Sequence, residues 1–120
     1  SLYLYGTDYD TPDGTCIRDY VHVCDLADAH VKALDVLTAT NAPLTANLGT
    51  GRGFSVREVI EAVGAVLCTP VPYTIAPRRD GDPAILVCSN DRAISLLNWR
   101  PNYTELKQII RHAADFRIRS

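Results

Sequence analysis

Asp13-Gly14-Thr15-Cys16-Ile17-Arg18-Asp19-Tyr20-Val21-His22-Val23-Cys24-Asp25-Leu26-Ala27-Asp28-Ala29-His30 packs a turn, a strand and a helix start into one run. Asp13-Gly14 is a turn signal, since glycine accepts positive φ and aspartate bonds its own backbone. Ile17, Asp19, Val21 and Val23 then alternate with Arg18, Tyr20, His22 and Cys24, a period of two that predicts a strand. Arg18 is thereby fixed near the start of a rigid element. Asp25 reads as the N-cap of a helix beginning at Leu26, its carboxylate accepting unpaired N–H groups.

The chain has 120 residues, enough for one domain with a modest core. With 47% hydrophobic and 22% charged residues and a net charge of −2, bulk charge favours neither nucleic acid nor an anionic membrane. Apolar runs stop well short of a bilayer span, no signal peptide is read, and a cytoplasmic protein is expected. Cys16, Cys24, Cys68 and Cys88 form no C-x-x-C pair and are expected to be free thiols. Cys16, His22, Cys24 and His30 fit no zinc spacing, so no metal is expected. Methionine is absent even from position 1, which suggests a processed product or a piece of something longer.

Upstream, Leu2-Tyr3-Leu4-Tyr5 reads as a short aromatic strand ended by Gly6. Downstream, Leu26, His30, Ala33, Leu34 and Leu37 recur at helical spacing, with His30 read as a partly buried histidine on the apolar face. Ala46-Asn47-Leu48 reads as a brief strand leading to Gly49-Thr50-Gly51-Arg52-Gly53 and a helix whose Ser55-Val56-Arg57-Glu58 start has capping-box spacing. Strand, glycine loop and helix together suggest a dinucleotide fingerprint. Its last glycine is replaced by Phe54, however, and no βαβ unit with a terminal acidic residue follows, so a tight helix-entry turn is the better reading.

Val71 to Ile75 suits an edge strand, because Pro72 cannot donate to a ladder. Pro77-Arg78-Arg79-Asp80-Gly81-Asp82-Pro83 presents cations and a carboxylate from one turn. Such a cluster is either a solvated charged loop or a phosphate clamp beside a hydroxyl acceptor. Ile85 to Val87 is strand-like, a short helix is predicted over Asp91 to Leu97, and a last one from Thr104. Tyr103 and Lys107 match Y-x-x-x-K by chance, since Tyr103 precedes the helix.

Arg18-Asp19-Tyr20-Val21-His22-Val23, Asn47 through Val56, Ala76 through Ala84 and Leu97-Asn98-Trp99-Arg100-Pro101 resemble, in order, the UDP-glucose 4-epimerase family of extended short-chain dehydrogenases/reductases. The resemblance covers the family's C-terminal, substrate-binding portion only. It implies an α/β fold of short strands with about four helices, residues 1–120 forming the UDP-sugar-binding domain and the NAD-binding Rossmann domain absent. In the family NAD takes hydride from C4 of the hexose, a tyrosine takes the hydroxyl proton, and the 4-keto sugar turns over before hydride returns. The resemblance puts catalytic and cofactor-binding residues in the missing half, so this chain alone is expected to be inert. It implies that Arg18 and Arg79 reach the diphosphate of UDP, that Asp82 accepts from the ribose, and that Tyr3, Leu4 and Tyr5 line the uracil pocket, with Val56 a weaker candidate. Guanidiniums from two elements suit a diphosphate on physical grounds as well.

Departures at Cys88-Ser89 and Leu86 leave the sugar open, so relatives acting on UDP-pentoses or UDP-uronates are a further reading. So is a non-catalytic fragment that binds a nucleotide or a partner. Family dimers use helices of the missing half, so no native dimer is expected from this piece. The strand at Ala46 to Leu48 would instead expose an edge open to self-association.

Overall fold

The structure, a computed structural model, describes residues 2–119. In chain order these form β1 (Tyr3–Tyr5), β2 (Ile17–Arg18), α1 (Val23–Thr40), β3 (Phe54–Ser55), α2 (Val56–Leu67), β4 (Thr74–Ala76), β5 (Ile85–Leu86), α3 (Asp91–Leu97) and α4 (Leu106–Arg119). The class is α/β with four helices and short strands, as the resemblance implies. β1 pairs in parallel with β4, and β2 lies between antiparallel β3 and parallel β5.

The predicted strand from Ile17 to Cys24 is cut to Ile17 and Arg18, because its partners are no longer than that. Ile17 faces Ser55 and Ile85, Arg18 faces Phe54 and Leu86, and past Ser55 the neighbouring chain turns into α2. A strand without partners leaves its N–H and C=O groups unpaired, and the chain finds another use for them. His22 becomes the cap, its ring Nδ1 accepting the Cys24 N–H at 3.0 Å, and α1 starts at Val23.

Asp25 is therefore not the cap. It is 1% exposed inside the first turn of α1, where its carboxylate accepts the N–H groups of Asn102 at 2.9 Å and Tyr103 at 3.0 Å. Its carbonyl accepts the Trp99 indole N–H at 2.9 Å. One residue thus ties α1 to the segment between α3 and α4.

The core lies in two clusters. Ala29, Ala93, Leu97 and Trp99 are buried between α1 and α3, while Phe54, Ala62 and Leu106 are buried between α2 and α4. The face of α1 that packs inward is Ala29, Ala33 and Val36, so His30 and Leu34 are exposed rather than apolar-face residues. His30 bonds instead to its own helix, through the Leu26 carbonyl at 2.6 Å. The expected strand at Ala46 to Leu48 is absent. Ala46 and Leu48 pack with Leu44 against the Trp99 cluster as irregular chain, so the strand edge proposed for self-association does not form there.

The dimensions, 49 × 36 × 20 Å, are those of a slab. Its radius of gyration is 16.8 Å, against about 13.6 Å for a compact chain of this length. Its accessible surface is 8100 Å², against about 6400 Å² for a compact monomer of this mass. The excess is apolar in part: Val31, Leu34, Ile75, Ile85 and Leu86 are more than half exposed.

The Asp13-Gly14 turn holds β2 to the start of α2. The Asp13 carboxylate accepts the Thr15 N–H at 2.9 Å, the Thr15 hydroxyl at 2.7 Å and the Ser55 hydroxyl. Ser55 in turn accepts the Glu58 N–H at 3.0 Å, and Glu58 reaches back to the Ser55 N–H at 2.6 Å, completing the capping box. Burial works to raise the Asp13 carboxyl, but the bonds from Ser55 and Thr15 and the charge of Arg57 outweigh it and hold it below its ordinary 3.8. A depressed carboxyl stabilises the fold in full above its unfolded value and loses that contribution as pH falls through the folded one. The melting temperature of Asp13→Asn is therefore expected to lie a few degrees below that of the parent near neutral pH. The gap should close on acidification below pH 3.8, and a gap independent of pH would refute the assignment.

Candidate functional site

The turn between β4 and β5 brings Arg79 and Asp82 up against the start of β2. Asp82 Oδ2 lies 2.8 Å from Arg79 Nη2 and 3.0 Å from Arg79 Nε. Its other oxygen lies 3.5 Å from Arg18 Nη2, although Arg18 and Asp82 are 64 positions apart in sequence. A single carboxylate thus bridges two guanidiniums that come from different elements. Arg18 is further braced by its own strand, donating to the Ile17 carbonyl at 2.8 Å. Both partners of the Arg18 pair are partly shielded, with 22% and 24% of their side chains exposed.

An aromatic wall adjoins this cluster. Arg79 Cζ lies 4.9 Å from the centre of the Tyr5 ring, and the Tyr5 and Tyr3 rings are 6.2 Å apart. In a strand alternate residues face alike, so Tyr3 and Tyr5 are exposed together while Leu4 points to the opposite side, 1% exposed. The Leu4 side chain therefore cannot line an open pocket, and in this respect the expectation is corrected. Val56 opens α2 with its N–H on the Cys16 carbonyl at 3.0 Å. Among the described residues no hydrogen bond or ring contact joins Val56 to the arginine cluster.

The glycine loop at 49–53 is held from within. Asp19, next to Arg18, accepts the Thr50 N–H at 2.9 Å, the Thr50 hydroxyl at 2.7 Å and the Gly51 N–H at 3.0 Å. A phosphate-cradling loop needs its N–H groups free to meet an anion, and here Asp19 takes those of Thr50 and Gly51 while the Thr50 hydroxyl takes that of Arg52. The loop does not fit the diphosphate of a dinucleotide. Spacing had pointed away from that fingerprint, but the role of Asp19 was missed. Its only sequence signal is a carboxylate beside a strand arginine.

Residues missed by the sequence reading also stand at the far side of the turn. Arg78 Nε donates to Asp8 Oδ1 at 2.8 Å, and its Cζ lies 4.2 Å from the centre of the Tyr9 ring. The hydrogen bond from Arg78 holds the Asp8 carboxyl below its ordinary value and raises the guanidinium. Elsewhere, burial pushes the Tyr20 phenol up where it packs against the cluster of Phe54, Ala62 and Leu106. Among the described residues, no helix is long and apolar enough to cross a membrane.

Arg18 and Arg79 thus meet at Asp82 beside Tyr5, in a small lobe of α/β class. No family model matches the chain. It is 49% identical over 110 residues to UDP-glucose 4-epimerase of Halalkalibacterium halodurans, covering 92% of this chain and 33% of the relative. It is 54% identical over 112 residues to UDP-glucose 4-epimerase of Azospirillum brasilense, covering 93% and 32%. UDP-glucose 4-epimerase from Brucella ovis, crystallised with NAD, superposes with a TM-score of 0.88 at 47% identity over 96% of this chain and 35% of that one. The enzyme from Bifidobacterium longum, crystallised with NAD+ and UDP, gives 0.87 at 38% identity, over 98% and 35%. The chain belongs to the UDP-glucose 4-epimerase family, as its C-terminal portion. It spans about a third of the length of the relatives it matches.

Proposed function

We propose that residues 1–120 are the UDP-sugar-binding lobe of a UDP-glucose 4-epimerase, an isomerase that inverts C4 of a UDP-hexose through a transient 4-keto sugar. NAD would be held by the domain outside this chain and would supply the hydride chemistry at C4, since the glycine loop here has its Thr50 and Gly51 N–H groups taken by Asp19. The observation that carries the reading is the meeting of Arg18 and Arg79 at Asp82. The Asp82 carboxylate holds both guanidiniums toward one point, as an anion would. A diphosphate offers each guanidinium its own oxygens, in the paired geometry that makes arginine–phosphate bonds strong. Asp82, released from that role, accepts from a ribose hydroxyl. Tyr3 and Tyr5 give the uracil flat, exposed faces beside the diphosphate.

The test is calorimetric titration of the chain with UDP and with uridine. The clamp requires binding of UDP in the millimolar range or tighter, with uridine at least about tenfold weaker for want of charge-assisted bonds. Equal affinity for both, or none for UDP, would leave the chain without the function assigned to it.

A further inference from the structure

Arg78 and Arg79 are neighbours that diverge. Arg79 goes to Tyr5 and Asp82, whereas the Arg78 guanidinium goes to Asp8 and the face of Tyr9. Besides its Nε bond to the Asp8 carboxylate, Arg78 donates through Nη2 to the Asp8 carbonyl. The Tyr9 ring beneath it is buried, 6% exposed. Gly6 closes the same corner. Its φ is +82°, its N–H donates to the Ala76 carbonyl at 2.9 Å, and a Cβ there would come within 2.8 Å of Arg78 Cγ. The end of β1, the loop at 7–9 and the exit of β4 are therefore gripped at one point, one residue before Arg79.

With side chains 46% and 75% exposed, the Arg78–Asp8 pair adds little to folding. Two hydrogen bonds and a stacked ring nonetheless fix direction well, because the planar guanidinium satisfies all three in one orientation only. We propose that Arg78 is a positioning residue for nucleotide binding: by gripping Asp8 and Tyr9 it fixes the backbone from which Arg79 reaches the diphosphate, a role that rests on the UDP-binding reading. It touches no ligand itself.

The experiment is a double-mutant cycle on the 120-residue chain, with UDP affinity as one readout and the Arg79 Nε–H resonance as the other. Arg78→Ala is expected to weaken UDP binding by about three- to tenfold, the cost of ordering a side chain no longer held in place. In an Arg79→Ala background the same change should cost nothing further, because a residue acting through Arg79 has nothing left to position. Additive losses would mean that Arg78 reaches the phosphates itself, and would overturn the proposal.

The second readout needs no ligand. The resonance of Arg79 Nε–H, bonded to Asp82 at 3.0 Å, should move toward that of a free guanidinium in Arg78→Ala, while the Trp99 indole N–H, bonded to Asp25 in the core, keeps its own position. If Arg78→Ala loses the Trp99 signal, Asp8→Asn, which removes no packing, is read in its place. An unchanged Arg79 signal in a folded variant sinks the proposal. If the parent fails to bind UDP, that failure counts against the UDP reading, and the resonance still decides whether Arg78 positions Arg79.

Discussion

Replacing Trp99 with alanine is expected to remove about 3–5 kcal/mol of stability, the usual cost of emptying a buried tryptophan site. Domains of this size hold roughly 5–15 kcal/mol in all, so the variant should melt without a sharp transition or far below the parent. The reason is position as well as size. Trp99 is 0% exposed, packs with Ala29, Ala93 and Leu97, and donates to the Asp25 carbonyl. Asp25 in turn holds the N–H groups of Asn102 and Tyr103. Trp99→Phe separates the two contributions. It fills most of the volume but loses the indole donor to a carbonyl that α1 still pairs, and should cost about 1–3 kcal/mol through the lost bond and the smaller ring together. Urea unfolding of both variants is the check, and an alanine variant within 1 kcal/mol of the parent would show that the Asp25 bonds carry this corner without the ring.

Removing the Arg18 guanidinium should do to binding what Trp99→Ala does to stability. Arg18→Ala is expected to weaken UDP about 10- to 100-fold, the range for losing one charge-assisted hydrogen-bonding group. Stability should hardly change, since a pair at 3.5 Å with both side chains about a quarter exposed contributes little to folding. Arg18→Lys keeps the charge and loses the planar fork, so it should recover only part of the affinity. Calorimetric titration with UDP beside a thermal melt distinguishes the two effects. Parental affinity in Arg18→Ala would remove Arg18 from the clamp.

What the sequence made legible was local chemistry. The Ser55 to Glu58 capping box follows from spacing alone and forms as such. The turn at Asp13-Gly14 and the adjacent arginines are equally visible. What it hid was partnership. A period of two ran from Ile17 to Cys24, yet strands need neighbours, and only Ile17 and Arg18 have them. Asp25 is a residue type that caps helices, but a buried carboxylate is worth more where it satisfies distant N–H groups, and the capping fell to His22. Leu4 sits among aromatic residues, yet strand alternation turns it to the core. Arg79 and Asp82 are close in sequence, whereas their approach to Arg18 depends on β5 pairing beside β2.

The helix pairing has a last consequence, for how quickly the fold can be reached. α1 packs on α3 and α2 on α4, so each helix skips its neighbour in the chain to find its mate. A ribosome must release Trp99 before α1 can close on α3, and Leu106 before α2 can close on α4. Bundles of sequence-adjacent helices zip up early, whereas interleaved ones delay closure until distant segments meet. Any nick between residues 68 and 90 would part both couples at once, leaving neither product a finished core.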